Sequence, residues 1–176
     1  MQTCLAICST SPNPGQVPVV AQYAEWYGDV AAKLLDIAGS SDASKQATDA
    51  YNTAIEYQVK AGHEISIPNL RWKLARAYDL ADQNEDASRE FQRAAEEYRS
   101  SKLQGCDSCF NDMALYMEAW SLIEKARMHH SEEQYLLAAE EYQKASEVLK
   151  QTAEWAPLSK HYLGCSYLEG GEALGR

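Results

Sequence analysis

The chain has 176 residues, 45% of them non-polar, and 26 Asp and Glu residues against 16 Lys and Arg residues give a formal net charge of −10. This length and composition suit one globular domain, whereas the charge argues against nucleic acid as a partner, because duplex binding requires a basic face. No apolar run approaches the roughly 20 residues of a membrane span, so we expect a soluble, cytoplasmic protein.

The first predicted element is a flexible tail over residues 1–16, "MQTCLAICSTSPNPGQ". It lacks the basic and apolar regions of a standard signal peptide, and Pro12, Pro14 and Gly15 disfavour a helix. The run "LAIC" before a Ser/Pro-rich stretch is weakly similar to a lipoprotein cysteine at Cys8. Ile7, however, stands where that motif has a small residue. A tail without a lipid is the prediction.

Residues 17–176 are predicted to form a single helical domain of about seven helices. Apolar residues recur at steps of three and four, and no segment alternates with a period of two, as a half-buried strand would. The predicted helices are separated by segments that each contain Gly, Ser, Asn, Asp or Pro, at 38–42, 61–68, 83–86, 103–108, 130–133 and 152–157. Pro68 and Pro157 fall where first helical turns are expected. The fold class is therefore all-α.

A small–large–small triplet recurs in three of these helices. Its members are Ala47, Tyr51 and Ala54, then Ala87, Phe91 and Ala94, then Ala138, Tyr142 and Ala145. Residues three and four apart share one strip of a helix, and small side chains on it permit a close crossing. We therefore expect stacked antiparallel hairpins, with Ala95 near the edge of its strip. Such internal similarity is typical of repeat architectures.

The hairpin 70–98 resembles a tetratricopeptide repeat, which has a Leu-Gly-x2-Tyr pattern followed by Ala-x3-Phe. The matching residues are Leu74, Ala75, Tyr78, Ala87, Phe91 and Ala94. "YLGCSYLEGG" at 162–171 is similar to the start of a further, incomplete repeat. The resemblance implies a right-handed α–α superhelix, although the repeat spacing is longer and irregular. Vesicle-fusion adaptors of the soluble attachment-protein type are similar in this respect, and an ordinary helical bundle is the alternative.

Cysteines are the first candidates for chemistry. Cys106 and Cys109 have the spacing of metal ligands, and Cys4 and Cys8 could complete a four-cysteine zinc site. A redox pair at 106 and 109 is a second alternative. Free thiols in a reducing cytosol are the third and favoured interpretation, so no metal and no cofactor are predicted.

The histidines give no stronger indication of a functional site than the cysteines do, and no catalytic motif does either. His129 and His130 adjoin two glutamates, but adjacent side chains on a helix point about 100° apart and do not converge on a metal. No nucleophile–base signature and no phosphate-binding glycine loop is present. The chain is therefore not expected to be an enzyme.

A partner-binding face is the favoured function. The resemblance implies that the first helices of the repeats line a concave surface, and the candidates there are Trp72, Arg76, Trp120, Arg127, His130 and His161. Trp and Arg commonly anchor interfaces, so we expect an adaptor that binds a protein segment with acidic and apolar residues. Core tryptophans are the alternative for Trp72 and Trp120. Arg76 and Arg127, if exposed, should contribute little to stability.

Two other classes of function stay open at this point. One is a metal-binding or redox protein that uses cysteines on a helical scaffold. The other is a purely structural module of a longer protein. Neither the partner nor the oligomeric state follows from the sequence.

Overall fold

The computed structural model describes residues 17–101 and 107–175. Within these ranges the chain forms seven α-helices: α1 (Val17–Ala38), α2 (Ser41–Ala61), α3 (Ile67–Asp79), α4 (Asn84–Ser100), α5 (Asp107–Ser131), α6 (Tyr135–Leu149) and α7 (Ala156–Gly175). A 3₁₀ turn at Glu64–Ser66 precedes α3. The all-α class and the packing of consecutive helices as antiparallel pairs are confirmed. The predicted tail over residues 1–16 lies outside the described residues.

The helix ends follow the predicted breaks because local capping chemistry sets them. Gly62 ends α2 with a φ of +70°, and its N–H donates to the carbonyl of Val59. Asp82 and Glu133 adopt the same left-handed conformation after α3 and α5, with φ of 55° and 60°. This backbone satisfies carbonyls that the last helical turn leaves without partners. Among the described helices, none is long and apolar enough to cross a membrane.

The helices fall into two compact units, divided between Gln83 and Asn84. The first described unit contains α1, α2 and α3, and its core draws residues from all three helices. Its buried cluster consists of Ala24, Ala31, Ala47, Tyr51, Ala54, Ile55, Ile67, Leu70, Leu74 and Ala77. Small residues dominate α1 and α2 here, so the two helices approach closely. A Cβ on Gly28 would lie 2.7 Å from Cε1 of Tyr51.

The second unit contains α4 to α7, each packed against the next along the chain. Its largest fully buried apolar side chains are Phe91, Met117, Ile123 and Leu149. One polar link is buried between α4 and α5, where the Ser88 hydroxyl donates to the carbonyl of Ser121 at 3.0 Å. A hydrogen bond that is shielded from water at this point helps to fix the register of the two helices.

The alanines of the three triplets are fully buried, and the large central residues are 0–9% exposed. The predicted packing strips are thus present on α2, α4 and α6. The expectation for Ala95 is wrong, since Ala95 is also fully buried. The buried face of α4 is broader than the narrow strip inferred from its triplet, because Ala94 and Ala95 both face neighbours.

Candidate functional site

A cluster of aromatic rings joins α5, α6 and α7 in the second unit. We call it the aromatic cluster, and its members are Tyr116, Trp120, Tyr142, Trp155 and Tyr162. Tyr116 and Trp155 stack with ring centroids 4.1 Å apart, and Tyr142 and Tyr162 stack at 6.0 Å. The ring of Trp120 contacts Tyr116 and Tyr162 edge to face. Such geometry stabilises beyond the area that the rings bury and makes a rigid platform.

Trp120 belongs to this platform and also to the core. Its ring stacks on Phe91, which is fully buried, with centroids 5.9 Å apart. The side chain of Trp120 is nevertheless only partly buried. Trp120 therefore packs on the core and still exposes part of its side chain.

Arg127 lies above the aromatic cluster and is held there by a carboxylate. Its guanidinium carbon is 6.0 Å from the centroid of Trp120, and Nη1 donates to Oε1 of Glu124 at 2.9 Å. The Glu124 side chain is fully buried, whereas Arg127 is 41% exposed. A buried carboxylate requires a compensating cation. Arg127 thus has a structural partner beneath it and an accessible face above.

The two histidines of the predicted site each contact residues of α7. His130, on α5, contacts Glu169 of α7 with Nδ1 2.9 Å from the nearer carboxylate oxygen. His161 packs edge to face on Tyr162 and lies 3.8 Å, through Nε2, from the sulfur of Cys165. Because Tyr162 contacts Trp120, the ring of His161 is connected to the platform that carries Arg127.

Burial in this cluster disfavours the ionised forms of its tyrosines and of Cys165. Burial raises the pKa of Tyr142 to about 12, with a smaller contribution from Cys165. Burial also raises the pKa of Tyr162 and that of the Cys165 thiol. Desolvation of this kind keeps the phenols and the thiol protonated at neutral pH. Cys165 consequently lacks the low-pKa setting of a reactive cysteine.

Trp72 and Arg76 lie four residues apart on α3, in the first unit. Trp72 is partly buried, and Arg76 is 44% exposed with Nη1 3.2 Å from Asp79. The other four predicted residues belong to the second unit, where direct contacts join Trp120 to Arg127 and Tyr162 joins Trp120 to His161. The two groups therefore belong to different units.

Sequence reasoning missed the residues that organise these predicted ones. Glu124, Tyr162 and Glu169 contact Arg127, Trp120 and His130 respectively. One signal was present, since Glu124 precedes Arg127 by three residues, a spacing that pairs side chains on a helix. The contacts made from α7 have no local signature, because they join residues more than 30 positions apart.

A second polar centre lies in the first unit and was not expected. The ammonium of Lys73, on α3, donates to Glu25 at 2.7 Å and to Asp29 at 3.0 Å, both on α1. The Tyr51 hydroxyl donates to Asp29 at 2.9 Å. Burial opposes the charge on Lys73, but the hydrogen bonds to the two carboxylates outweigh it and raise its pKa. This network fixes three helices and contains no exposed nucleophile.

A groove between α4 and α5 in the second unit has a volume of about 500 Å³. Its rim carries Arg89, Arg93, Lys125 and His129, together with two glutamates. Arg89 pairs with Glu85 and Asp86, and Arg93 with Glu90. These carboxylates offset most of the positive charge, so the groove has no strong preference for an anion.

The cysteine hypotheses fall largely outside the described residues, because Cys4, Cys8 and Cys106 are not among them. Cys109 is exposed and Cys165 is partly buried, both as free thiols. Within residues 17–101 and 107–175, no three His, Cys, Asp or Glu side chains converge as metal ligands.

Comparison with known proteins gives no relative from which a function could be inferred. No protein-family model matches the chain, and no curated protein or solved structure matches it either.

Proposed function

We propose that this chain is a non-catalytic adaptor of tetratricopeptide-like architecture that binds a segment of another protein. Its binding face in the second unit is formed by Arg127, His130 and His161 over the aromatic cluster. The preferred segment carries acidic residues beside apolar ones. The five cysteines suit a reducing, cytoplasmic setting.

The observation that carries this proposal is the arrangement of Arg127 between a buried carboxylate and the ring of Trp120. Glu124 holds the guanidinium through Nη1, and 41% of the Arg127 side chain remains exposed to solvent. A guanidinium offers five N–H donors and pairs with carboxylates in a fork geometry. Because Glu124 restrains Arg127 before binding, less side-chain entropy is lost when a partner carboxylate arrives.

The apolar part of the partner is accommodated by the rings beside Arg127. Trp120 and Tyr162 are partly buried and expose the remainder of their surfaces. Aromatic residues and arginine are enriched at interfaces, where they provide rigid area and directional donors together. Trp72 and Arg76 present the same two residue types on α3 of the first unit, and their contribution is separately testable.

The test replaces the ion pair without leaving a charge buried. In Glu124→Gln/Arg127→Gln both charges disappear, so we expect the fold to persist while attraction for acidic segments is lost. The matched control is Glu141→Gln/Lys144→Gln, which neutralises another i, i+3 pair, on α6. Thermal unfolding of both double variants checks that they fold.

Binding is measured on arrays of synthetic peptides in which acidic residues alternate with Leu and Phe, beside arrays that carry Lys in place of the acidic residues. The parent and the control should prefer the acidic series. Glu124→Gln/Arg127→Gln should bind it at least about tenfold more weakly, which is the effect of losing one charge-assisted pair. Equal binding by this folded variant, or no acidic preference in the parent, would contradict the proposal.

A further inference from the structure

Helix α1 has two apolar faces, and within residues 17–101 and 107–175 only one of them is covered. The covered face consists of Val17, Val20, Ala21, Ala24, Gly28, Ala31 and Leu35. The opposite face exposes six large apolar side chains, which we call the α1 stripe: Val19, Tyr23, Trp26, Val30, Leu34 and Ile37. Five of the six are 49–52% exposed, and Ile37 is 82% exposed. A helix that is apolar on both sides normally has neighbours on both.

The α1 stripe is continuous and ordered. Its residues follow one another at steps of four and three, which places them on one line along the helix. They span about 27 Å at 1.5 Å per residue. Tyr23 and Trp26 already contact each other edge to face, with centroids 5.5 Å apart. The surface is therefore organised without a partner.

The charges around the stripe do not oppose a second apolar helix. Glu25 and Asp29 lie beside it, and both bind Lys73. Lys33 and Asp36 are exposed near its carboxyl-terminal half and have opposite signs. The net charge of −10 is carried mostly by other parts of the chain. The charges named here sum to −1, so the stripe is an apolar surface with little net charge around it.

The size of the stripe fits an interface. Each aromatic side chain presents roughly half of the 150–250 Å² that such residues bury, so the six residues together expose on the order of 500 Å². Monomers rarely expose more than a few hundred Å² of contiguous apolar surface. With its flanking residues, the stripe approaches the roughly 800 Å² per partner of a stable interface.

The order of the side chains along the stripe favours a second copy of α1 as the occupant. Trp26 and Val30 lie two residues before and two residues after position 28, and Val19 and Ile37 lie nine residues before and after it. Tyr23 lies five residues before this position, and Leu34 lies six residues after it. An antiparallel copy of α1 would place each member of a pair opposite its counterpart, as a two-fold interface requires. Bulky Trp26 would then face the smaller Val30, and Tyr23 would face Leu34, so that the side chains interdigitate.

We infer that the chain forms a two-fold homodimer in which the α1 stripes of two copies pack antiparallel. The interface is apolar and is formed by residues of the first unit. The face that carries Arg127, His130 and His161, here called the Arg127 face, belongs to the second unit. Raising the salt concentration should leave the dimer intact or tighten it, because salt screens the repulsion between two acidic chains. Binding of acidic peptides to the Arg127 face should weaken under the same conditions.

The experiment measures the mass of the full chain by sedimentation equilibrium over a wide range of protein concentration. The parent should reach twice its 19.6 kDa chain mass. Val30→Glu and Trp26→Lys alter half-exposed positions, so both variants should fold, as circular dichroism can verify. Each should weaken dimerisation on the order of a hundredfold or more, because it buries an unpaired charge in the interface. Leu136→Glu, at a position on α6 that is 64% exposed, is the control and should dimerise like the parent.

An equimolar mixture of Val30→Glu and Trp26→Lys tests the antiparallel register. In that register the new carboxylate of one chain faces the new ammonium of the other, and the second Trp26–Val30 contact stays native. The mixture should therefore dimerise more tightly than either variant alone. A mixture that stays monomeric contradicts the register. A parent that stays monomeric at every concentration contradicts the dimer and leaves the stripe to another protein or to residues 1–16.

Discussion

Gly28 shows how one missing side chain sets the distance between two helices. A Cβ at this position would lie 2.7 Å from the ring of Tyr51, and that ring is held by burial and by its hydrogen bond to Asp29. We expect Gly28→Ala to destabilise the protein by about 1–2 kcal/mol, because the overpacking penalty exceeds the gain in helix propensity. Gly164→Ala is the matched control, since nothing lies within 4 Å of its Cβ position in α7. That variant should gain about 0.5–1 kcal/mol. Urea unfolding measures both free energies, and similar values for the two variants would contradict the close crossing.

Arg127 is a residue whose structural role differs from its expected one. The sequence suggests that charge reversal of an exposed arginine has little effect on folding, but the structure places the fully buried Glu124 beneath it. We expect Arg127→Glu to destabilise by at least about 2 kcal/mol, less than the ~3–5 kcal/mol of a fully buried pair because Arg127 is partly exposed. Glu124→Gln/Arg127→Gln should stay within about 1 kcal/mol of the parent. Thermal unfolding of the two variants compares them directly. If Arg127→Glu unfolds together with the parent, the pair does not hold the buried carboxylate.

At the scale of elements, α4 shows how wide the buried strip of small residues is around the helix. Ala87, Ala94 and Ala95 are all fully buried. We expect Ala94→Leu and Ala95→Leu each to destabilise by about 1–3 kcal/mol, since three added carbons force backbone shifts in a close-packed core. Glu96→Leu, on the exposed side of the same helix, should change the free energy of unfolding by no more than about 0.5 kcal/mol. A small effect at Ala95 alone would instead support the narrow buried strip that the triplet predicted.

At the scale of the whole molecule, burial of tyrosines predicts a loss of stability at alkaline pH. Unfolded tyrosines ionise near pH 10, whereas burial raises the pKa of Tyr142 to about 12 and also raises the pKa values of Tyr51, Tyr98 and Tyr162. Above pH 10 the unfolded chain therefore loses protons that the folded chain retains, and the free energy of unfolding falls as the pH rises. For Tyr142 the loss approaches on the order of 2–3 kcal/mol at pH 12.

The measurement is the free energy of unfolding between pH 8 and pH 12. Tyr142→Phe should behave like the parent near pH 8 and should fall less steeply above pH 10. Tyr167→Phe, at a side chain that is 72% exposed, is the control and should follow the parent throughout. A slope that Tyr142→Phe leaves unchanged would show that this phenol does not drive the alkaline loss.

The sequence by itself determined the helices and much of their packing. Apolar spacing and the Gly and Pro positions located seven helices and their breaks, because helix periodicity and capping depend on residues within a few positions of one another. The triplets of α2, α4 and α6 likewise identified buried faces. Only the tertiary structure decided which face of a two-sided helix has a neighbour. In α1, the line through Val20, Ala24 and Ala31 and the line through Tyr23, Trp26 and Val30 are both apolar, yet one is covered and the other exposed. The burial of Glu124 and the contact from His130 to Glu169 also depend on helices that are distant in sequence. Local sequence patterns do not indicate such contacts.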